Sequence, residues 1–440
     1  MHMKNRWILS LLVFFLIGKS LAQSHAPASP QKKSVLFSGL IIHTGTGKVI
    51  NNGLIGFKNG KISLVADGST VRLEGNAYDT VITLSNAHAY PGFIAPNSTL
   101  GLTEVESVRA TNDFSETGTM NPHIRSQIAF NCESKIIPTA RTNGVLLVQP
   151  TPRNGMISGT SCVMALDGWN WEDALVKADD GVHLNFPVLV QTAGWWAEPA
   201  AAAPNGKYET QMLELKRFFQ EALSYCLDPN PTKEKNLRFE AMRNVFQGKS
   251  NLYIHVNFAK DILAALSFIK EQEIKRPVLV GAEDSYKVTA LIKTMNVPVM
   301  LPRVHSLPVN EQDPVDLPYK LPYFLNNAGI LFCLQNAGDM EVQNTRNLPF
   351  QAGTARAYGL TTEEAIAAIS LSTAKILGID NEFGSVEVGK SATFFISEGD
   401  ALDMKSNKVI FAFIDGKRLD LINSQWEQYI KYCNKYGIKP

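Results

Sequence analysis

Cysteine is scarce in this sequence, and the five residues that occur are far apart: Cys132, Cys162, Cys226, Cys333 and Cys433. They form no C-x-x-C pair, and their number is odd. A disulfide framework would need an even set, and a zinc knuckle would need closely spaced pairs. We therefore expect buried thiols instead of either arrangement.

An excess of one charge is also missing. The 42 Lys and Arg residues nearly balance the 41 Asp and Glu residues, which leaves a formal net charge of +1. With no long run of one sign to neutralise phosphates, the sequence does not favour nucleic acid as a partner. The composition is that of an ordinary globular protein, and 440 residues leave room for a large core and a second domain.

Long apolar runs are absent except near the N-terminus. Lys4 and Arg6 precede the mostly apolar residues 7–17, and Ser20 and Ala22 provide the small residues of a cleavage site. This pattern predicts a secretory signal over residues 1–22, because the apolar stretch is shorter than the roughly 20 residues that span a bilayer. An uncleaved anchor is the alternative. We expect a periplasmic or extracellular protein with no stable membrane span, beginning with a polar leader over residues 23–33.

Both ends of the remaining chain have β character. Asn59-Gly60 follows an apolar run in the first segment, and Asp415-Gly416 follows one in the last. Both pairs tolerate the positive φ angles of a two-residue hairpin turn. We predict one small composite β-sandwich domain, built from residues 34–90 and 381–424, and a C-terminal helical tail over residues 425–440.

The middle of the chain, residues 91–380, alternates short apolar runs with helical patterns. The apolar runs lie at residues 144–148, 187–191, 252–256, 277–280, 298–301 and 330–334. This β-then-α order implies parallel strands joined by crossover helices. The length suits a (β/α)8 TIM barrel, which takes about 250 residues, so we predict an α/β fold of this kind. An open doubly wound sheet has the same order of elements and stays the alternative.

Helix boundaries can be predicted at several positions of this middle region. Thr361 and Glu364 have the spacing of a capping box, which predicts a helix that begins there. Gly378 should end the helix that follows it in the chain. Residues 261–272 place Ile262, Leu263, Leu266 and Ile269 on one face of a further helix.

Four sequence fragments, in this order and spacing, resemble the amidohydrolase superfamily and its imidazolonepropionase-like members. They are Pro-Gly-Phe-Ile at 91–94, Ser-Thr-Ala-Lys-Ile-Leu-Gly at 372–378, Gly-Ser-Val-Glu-Val-Gly-Lys-Ser-Ala at 384–392 and Ile-Asp-Gly-Lys at 414–417. The resemblance covers nearly the whole chain and implies a barrel beside a small β domain. An active member would use zinc or another divalent metal to activate water against a carbon–nitrogen bond of an amide or peptide-like molecule.

The first expected metal ligands are replaced in this chain. Members of the family usually continue the first barrel strand with Asp-x-His-x-His, whereas this sequence has Ala95, Asn97 and Thr99. Residues two apart on a strand face the same side, so two His at these positions could hold one ion. Neutral amide and hydroxyl oxygens are poor zinc ligands.

Other positions of the metal site are replaced as well. At the eighth strand, Gln335 and Asn336 stand where the resemblance implies an Asp, and neither side chain can act as a base. Asp339 lies a few residues beyond and could compensate if its loop folds back. At the sixth strand no His is present, and Glu283 is the carboxylate nearest to that strand end.

The resemblance leaves His255, at the end of the fifth strand, as the best candidate ligand. We predict His255 and Asp339 as catalytic candidates and the following residues as lining a pocket: Asn97, Thr99, Glu283, His305, Gln335 and Asn336. Three other histidines, His88, His123 and His183, are expected to be structural or exposed.

The sequence therefore predicts an amidohydrolase relative whose metal-dependent activity is reduced or lost. A ligand-binding or partner subunit without catalysis, either a homo-oligomer or paired with an active relative, is the alternative from another class. Residual hydrolysis that uses His255 with a carboxylate is a third hypothesis.

Overall fold

The computed structural model describes residues 26–72, 74–191, 194–195, 198–199, 202–228, 234–310 and 312–439. The predicted secretory signal and the first residues of the polar leader lie outside this part of the chain. Within the described part, no helix combines the length and the apolar character needed to cross a membrane.

The strands fall into four groups along the chain. The first group is β1 (Val35–His43), β2 (Val49–Lys58), β3 (Lys61–Asp67), β4 (Thr80–Thr83) and β5 (His88–Pro91). The next strands are β6 (Phe93–Ser98), β7 (Val145–Pro150), β8 (Ile157–Ala165) and β9 (Leu175–Asn185). Four two-residue strands follow, namely β10 (Val190–Gln191), β11 (Gly194–Trp195), β12 (Glu198–Pro199) and β13 (Ala203–Pro204). The last are β14 (Asn251–Val256), β15 (Pro277–Gly281), β16 (Val299–Leu301), β17 (Phe332–Leu334), β18 (Phe394–Ser397), β19 (Val409–Ile414) and β20 (Lys417–Arg418).

The helices occupy the connections of the middle region and the C-terminus. The first seven are α1 (Ser126–Ala129), α2 (Ile137–Arg141), α3 (Trp171–Ala174), α4 (Tyr208–Leu227), α5 (Leu237–Phe246), α6 (Ala259–Glu271) and α7 (Thr289–Thr294). The others are α8 (Leu317–Ala328), α9 (Glu341–Asn344), α10 (Leu348–Ala357), α11 (Thr362–Ala368), α12 (Leu371–Leu377) and α13 (Ser424–Tyr436). Short 3-10 helices cover Arg109–Thr111, Glu283–Lys287 and Thr345–Asn347.

Strands from both chain ends share one sheet. Its order is β20-β19-β18-β5-β1-β2-β3, and β4 pairs with β1. Four phenylalanines fill its core, two from each end of the chain: Phe37, Phe57, Phe394 and Phe413. The ring centroids of Phe57 and Phe413 are 4.9 Å apart. Burial of these large side chains ties the C-terminal strands to the N-terminal ones.

The predicted turns and helix ends of both regions are confirmed. Asn59 and Gly60 adopt φ angles of 52° and 77° between β2 and β3, and Asp415 and Gly416 adopt 50° and 70° between β19 and β20. Thr361 and Glu364 form the reciprocal capping box of α11. Gly378, with φ of 66°, ends α12. The face predicted for α6 is wrong at Leu263, which is exposed.

A second eight-stranded sheet, in the order β17-β16-β15-β14-β9-β8-β7-β6, forms a nearly closed barrel. Its two terminal strands meet through side chains, since Asn97 Nδ2 after β6 donates a hydrogen bond to Gln335 Oε1 after β17. The backbone N–H of Ile94 also donates to the carbonyl of Ile369 at 2.9 Å. This arrangement is the mixed α/β barrel that the order of elements predicted.

The prediction of uniformly parallel barrel strands is wrong at β8, which runs antiparallel to both β7 and β9. Antiparallel neighbours need only a short connection, whereas parallel ones need a crossover. Residues 151–156 provide such a connection, with Asn154 and Gly155 at positive φ. The apolar run at 187–191 is also not a barrel strand. The barrel strand in this region is β9, which was not recognised in the sequence because it contains the polar residues Lys177 and Asp180.

Asp180 is a fully buried carboxylate that joins three barrel strands. It accepts hydrogen bonds from Gln149 Nε2 on β7 at 2.8 Å and from the Tyr253 hydroxyl on β14 at 2.5 Å. Lys177 Nζ forms an ion pair with its other oxygen at 2.9 Å. A buried charge is tolerated only when it is paired and hydrogen-bonded in this way.

Replacing the Tyr253 hydroxyl should destabilise the barrel. We expect Tyr253→Phe to lower the free energy of unfolding by about 1.5–3 kcal/mol, because Asp180 loses a charge-assisted hydrogen bond without access to water. Tyr432→Phe is the matched control, since Tyr432 is 54% exposed. Chemical denaturation measures both variants, and equal stabilities would contradict the role given to the hydroxyl.

Candidate functional site at the carboxyl edge of the barrel

Three chain segments that follow barrel strands converge at one edge of the barrel. Asn97 and Thr99 lie at the end of β6, Arg153 follows β7, and Gln335 follows β17. Asn97 and Thr99 are 3% and 4% exposed, so the two residues that replace the expected His pair are buried in this edge. The carboxyl ends of barrel strands are where enzymes of this architecture build their sites.

Arg153 is the cation of this edge. Its Nη1 donates to Asn97 Oδ1 at 2.5 Å, and its Nη2 donates to the backbone carbonyl of Asn97 at 2.8 Å. Nη2 also lies 3.1 and 3.2 Å from the two carboxylate oxygens of Glu341. The guanidinium group therefore joins the first barrel strand to the loop after the last one.

Glu341 is the counter-ion of Arg153 and is only 7% exposed. Its Oε1 accepts hydrogen bonds from the Thr99 N–H at 3.0 Å and from the Thr99 hydroxyl. Its Oε2 accepts from the N–H of Gly338 at 3.0 Å. The carboxylate thus has hydrogen-bond donors on both oxygens, which fix its orientation.

Gln335 and Asn336, which were predicted to line a pocket, are buried, and their side chains bind other protein groups. Gln335 Oε1 accepts from Asn97, and Asn336 Oδ1 accepts from Gln351 Nε2. Gln351 in turn accepts from the N–H of Val304 at 2.8 Å. These amides connect the loops after β16 and β17 into one hydrogen-bonded layer.

His255 and His183 form a pair inside the barrel. His183 Nδ1 and His255 Nε2 are 2.9 Å apart, and the ring of His183 stacks on Tyr253 with centroids 4.5 Å apart. Burial, aided by the nearby charge of Arg153, lowers the pKa of His255 to about 3. Burial, then His255 and Arg153, lowers the pKa of His183 well below its ordinary value. Both rings are therefore neutral at physiological pH.

His183, which was expected to be either structural or exposed, is fully buried. Its Nε2 has no hydrogen-bond partner among the described residues. His88 instead lies 3.1 Å from His43 in the sheet of the chain ends, far from the barrel pair in the fold. His183 lies on the strand directly beside that of His255. The sequence alone did not reveal that these two strands are neighbours.

The other predicted site residues make different contacts. His305 is exposed, and its Nε2 is 2.7 Å from the Thr354 hydroxyl. Asp339 is also exposed, and its backbone carbonyl accepts from Arg303 at 2.9 Å. Glu283 lines a small cavity with residues of the loop after β16. Burial and the neighbouring Asp284 raise the pKa of Glu283 to about 7.

Arg153 and Glu341 were missed by the sequence-based prediction, although both lie in segments that follow barrel strands. Arg153 follows β7 by three residues, in the turn that leads to the antiparallel strand β8. Glu341 lies two residues beyond Asp339. Within the described residues, no group of three His, Cys, Asp or Glu side chains is placed to hold a metal ion.

Comparison with known proteins identifies relatives of this architecture. The family model described as Amidohydrolase family matches residues 327–419. An amidohydrolase from Thermotoga maritima has a similar structure, with a TM-score of 0.75 and 22% identity over 88% of this chain and 99% of that one. No curated protein sequence matches the chain.

Two further solved structures share the fold at lower similarity. A Xaa-Pro dipeptidase with bound methionine has a TM-score of 0.54 and 12% identity, covering 88% of this chain and 100% of that one. A zinc-bound adenosine deaminase from Xanthomonas campestris has a TM-score of 0.53 and 14% identity, covering 93% of this chain and 98% of that one. At these identities the likeness concerns the fold alone.

The neutral imidazoles should make stability depend on pH. The pKa of His255 is about 3 in the folded chain and about 6.5 in the unfolded chain. Between these two pH values the unfolded chain therefore binds a proton at His255 and the folded chain does not. The stabilisation is complete above about pH 6.5 and is lost as the pH falls toward 3, at roughly 1.4 kcal/mol per pH unit for each such ring. Unfolding free energies at pH 7 and pH 5 measure this loss. His255→Gln should reduce the difference, and an unchanged difference would contradict the assignment.

Proposed function

We propose that this chain, whose residues 327–419 match the model of the amidohydrolase family and whose fold is similar to that of an amidohydrolase, descends from hydrolases of carbon–nitrogen bonds and has reduced or lost metal-dependent activity. Two proteins of similar fold, a dipeptidase and a deaminase, are named for reactions at carbon–nitrogen bonds, and this supports the proposed ancestry. The proposed role is binding of a small amide or peptide-like molecule at the carboxyl edge of the barrel. The position of Arg153 between Asn97 and Glu341 is the observation that carries the proposal.

A zinc ion does not fit this donor set. Zinc prefers imidazole, thiolate and carboxylate ligands, whereas Asn97 and Thr99 offer a neutral amide and a hydroxyl. The Asn97 carbonyl already accepts a hydrogen bond from Arg153, and the Thr99 hydroxyl donates to Glu341. The neutral His pair could supply nitrogen ligands, but two nitrogens are fewer than the three protein ligands of a catalytic zinc site.

The charge of Arg153 also disfavours a metal ion. A guanidinium group stays protonated at every physiological pH, and its carboxylate partner Glu341 is already engaged, so a divalent cation beside Arg153 would be repelled by the guanidinium group. The same charge contributes to the low pKa of His255. A base with a pKa of about 3 removes protons from water poorly near neutral pH, which argues against residual hydrolysis driven by His255.

The proposal extends to the location of the protein. The sequence predicts a cleaved secretory signal over residues 1–22, and we propose that the mature chain acts in the periplasm or outside the cell. Association with a second copy or with an active relative stays a prediction.

Elemental analysis combined with an activity panel tests the proposed function. We expect the purified mature protein to contain less than stoichiometric zinc and to hydrolyse neither dipeptides nor cyclic amides in a metal-dependent way. His255→Ala and the control His305→Ala, which changes an exposed ring, should then behave alike. Stoichiometric zinc, together with turnover that is lost in His255→Ala and kept in His305→Ala, would contradict the proposal.

Expression of the full chain with its own leader tests the location. We expect an exported protein whose mass corresponds to a chain beginning at Gln23. Leu12→Arg interrupts the apolar stretch and should leave the leader attached and the protein inside the cell. A full-length mass for the unmodified chain, found in the membrane fraction, would instead indicate an anchor.

A further inference from the structure

The contacts of the Glu341 carboxylate indicate which kind of chemical group the edge of the barrel binds. Its two oxygens receive the Arg153 guanidinium at 3.1 and 3.2 Å, the Thr99 N–H at 3.0 Å, the Thr99 hydroxyl and the Gly338 N–H at 3.0 Å. One cation, two backbone donors and one hydroxyl converge on a single anionic group. This is the donor set of a carboxylate-binding site.

Most of these donors belong to the barrel and not to the segment that carries Glu341. Thr99 follows the first barrel strand, and Arg153 follows the second. Arg153 is held by Asn97, whose own N–H donates to Gln149 at 2.9 Å, and Thr99 is buried at the end of the same strand as Asn97. The donors therefore stay in place when another carboxylate replaces that of Glu341.

The segment that carries Glu341 lies at the surface. Residues 338–340 are exposed, and Met340 is 58% exposed with a φ angle of 55°. The side chain of Arg153 is itself 21% exposed. A small molecule from solvent can thus reach the guanidinium group once Glu341 is withdrawn.

We propose that the barrel edge is a binding site for the carboxylate of a small molecule, such as an N-acyl amino acid or a peptide C-terminus, and that Glu341 occupies it as an internal ligand. This inference rests on the proposed binding role of the barrel edge. The exchange conserves charge, since one monoanion replaces another beside Arg153. A neutral amide would leave the guanidinium without a counter-ion, which is costly at a largely buried position.

Chemical rescue of Glu341→Ala tests the inference with propionate as the probe. The variant removes the internal carboxylate and leaves space for an external one. We expect Glu341→Ala to melt at a lower temperature than the unmodified protein, and sodium propionate to restore part of the loss. Propionamide and sodium chloride of equal ionic strength should have no such effect. Arg153→Met/Glu341→Ala should not respond to propionate, because the cation that binds it is gone.

Glu341→Gln provides a second measurement that does not depend on the fold of the alanine variant. This nearly isosteric change weakens the internal competitor for Arg153 while it keeps the side chain in place. Calorimetric titration with N-acetylglycine should give binding about tenfold tighter than for the unmodified protein, the difference that one stronger hydrogen-bonded contact makes.

Two outcomes separate this inference from the proposed function. Absence of propionate rescue, with N-acetylglycine binding unchanged in Glu341→Gln, would overturn the carboxylate site and make Glu341 a structural brace. That result would not change the conclusion drawn from the zinc content about metal-dependent activity. Stoichiometric zinc beside a clear propionate rescue would overturn the loss of metal dependence and keep the carboxylate site.

Discussion

The contact of one guanidinium group with Asn97 and Glu341 determines the chemistry of the barrel edge. Arg153 supplies a permanent positive charge beside the neutral side chains of Asn97, Thr99 and Gln335. Glu341 compensates this charge, and both partners are sufficiently buried for their interaction to be little screened. The neighbouring imidazoles respond to the same charge, since Arg153 contributes to the lowered pKa of His255 and of His183. A site organised around a protein cation has different ligand preferences from one organised around a metal.

The position of Arg153 depends on a polar chain that continues into the barrel. Gln149 connects the Asn97 backbone to the buried carboxylate of Asp180, which Tyr253 and Lys177 also bind. A buried polar network of this kind stabilises the fold only when each of its polar groups has a hydrogen-bond partner. The interior therefore constrains where Asn97 lies, and Asn97 constrains Arg153.

Local signals were sufficient for much of the fold. The hairpin pairs and the capping box act over a few residues, so their sequence patterns predicted the turns and the start of α11. The polar character of β9 hid that strand, because its buried Asp180 is stabilised by partners distant in sequence. Arg153 was missed for the same reason: Glu341 is 188 residues away, and no local pattern indicates that the two meet. Asn97, Thr99, Gln335 and Asn336 could be singled out in the sequence because they lie at strand ends of the barrel and at positions where the family resemblance implies metal ligands.

The sheet shared by the two chain ends affects how the protein is made. Strand β5 gains its neighbour β18, with β19 and β20 behind it, only after nearly the whole chain has been synthesised. Until then the N-terminal strands expose an unpaired edge and the apolar faces of Phe37 and Phe57. Such long-range pairing slows folding and prolongs the exposure of aggregation-prone surface. Delayed completion of this sheet would keep the nascent chain open during translation, a state that is compatible with the proposed export.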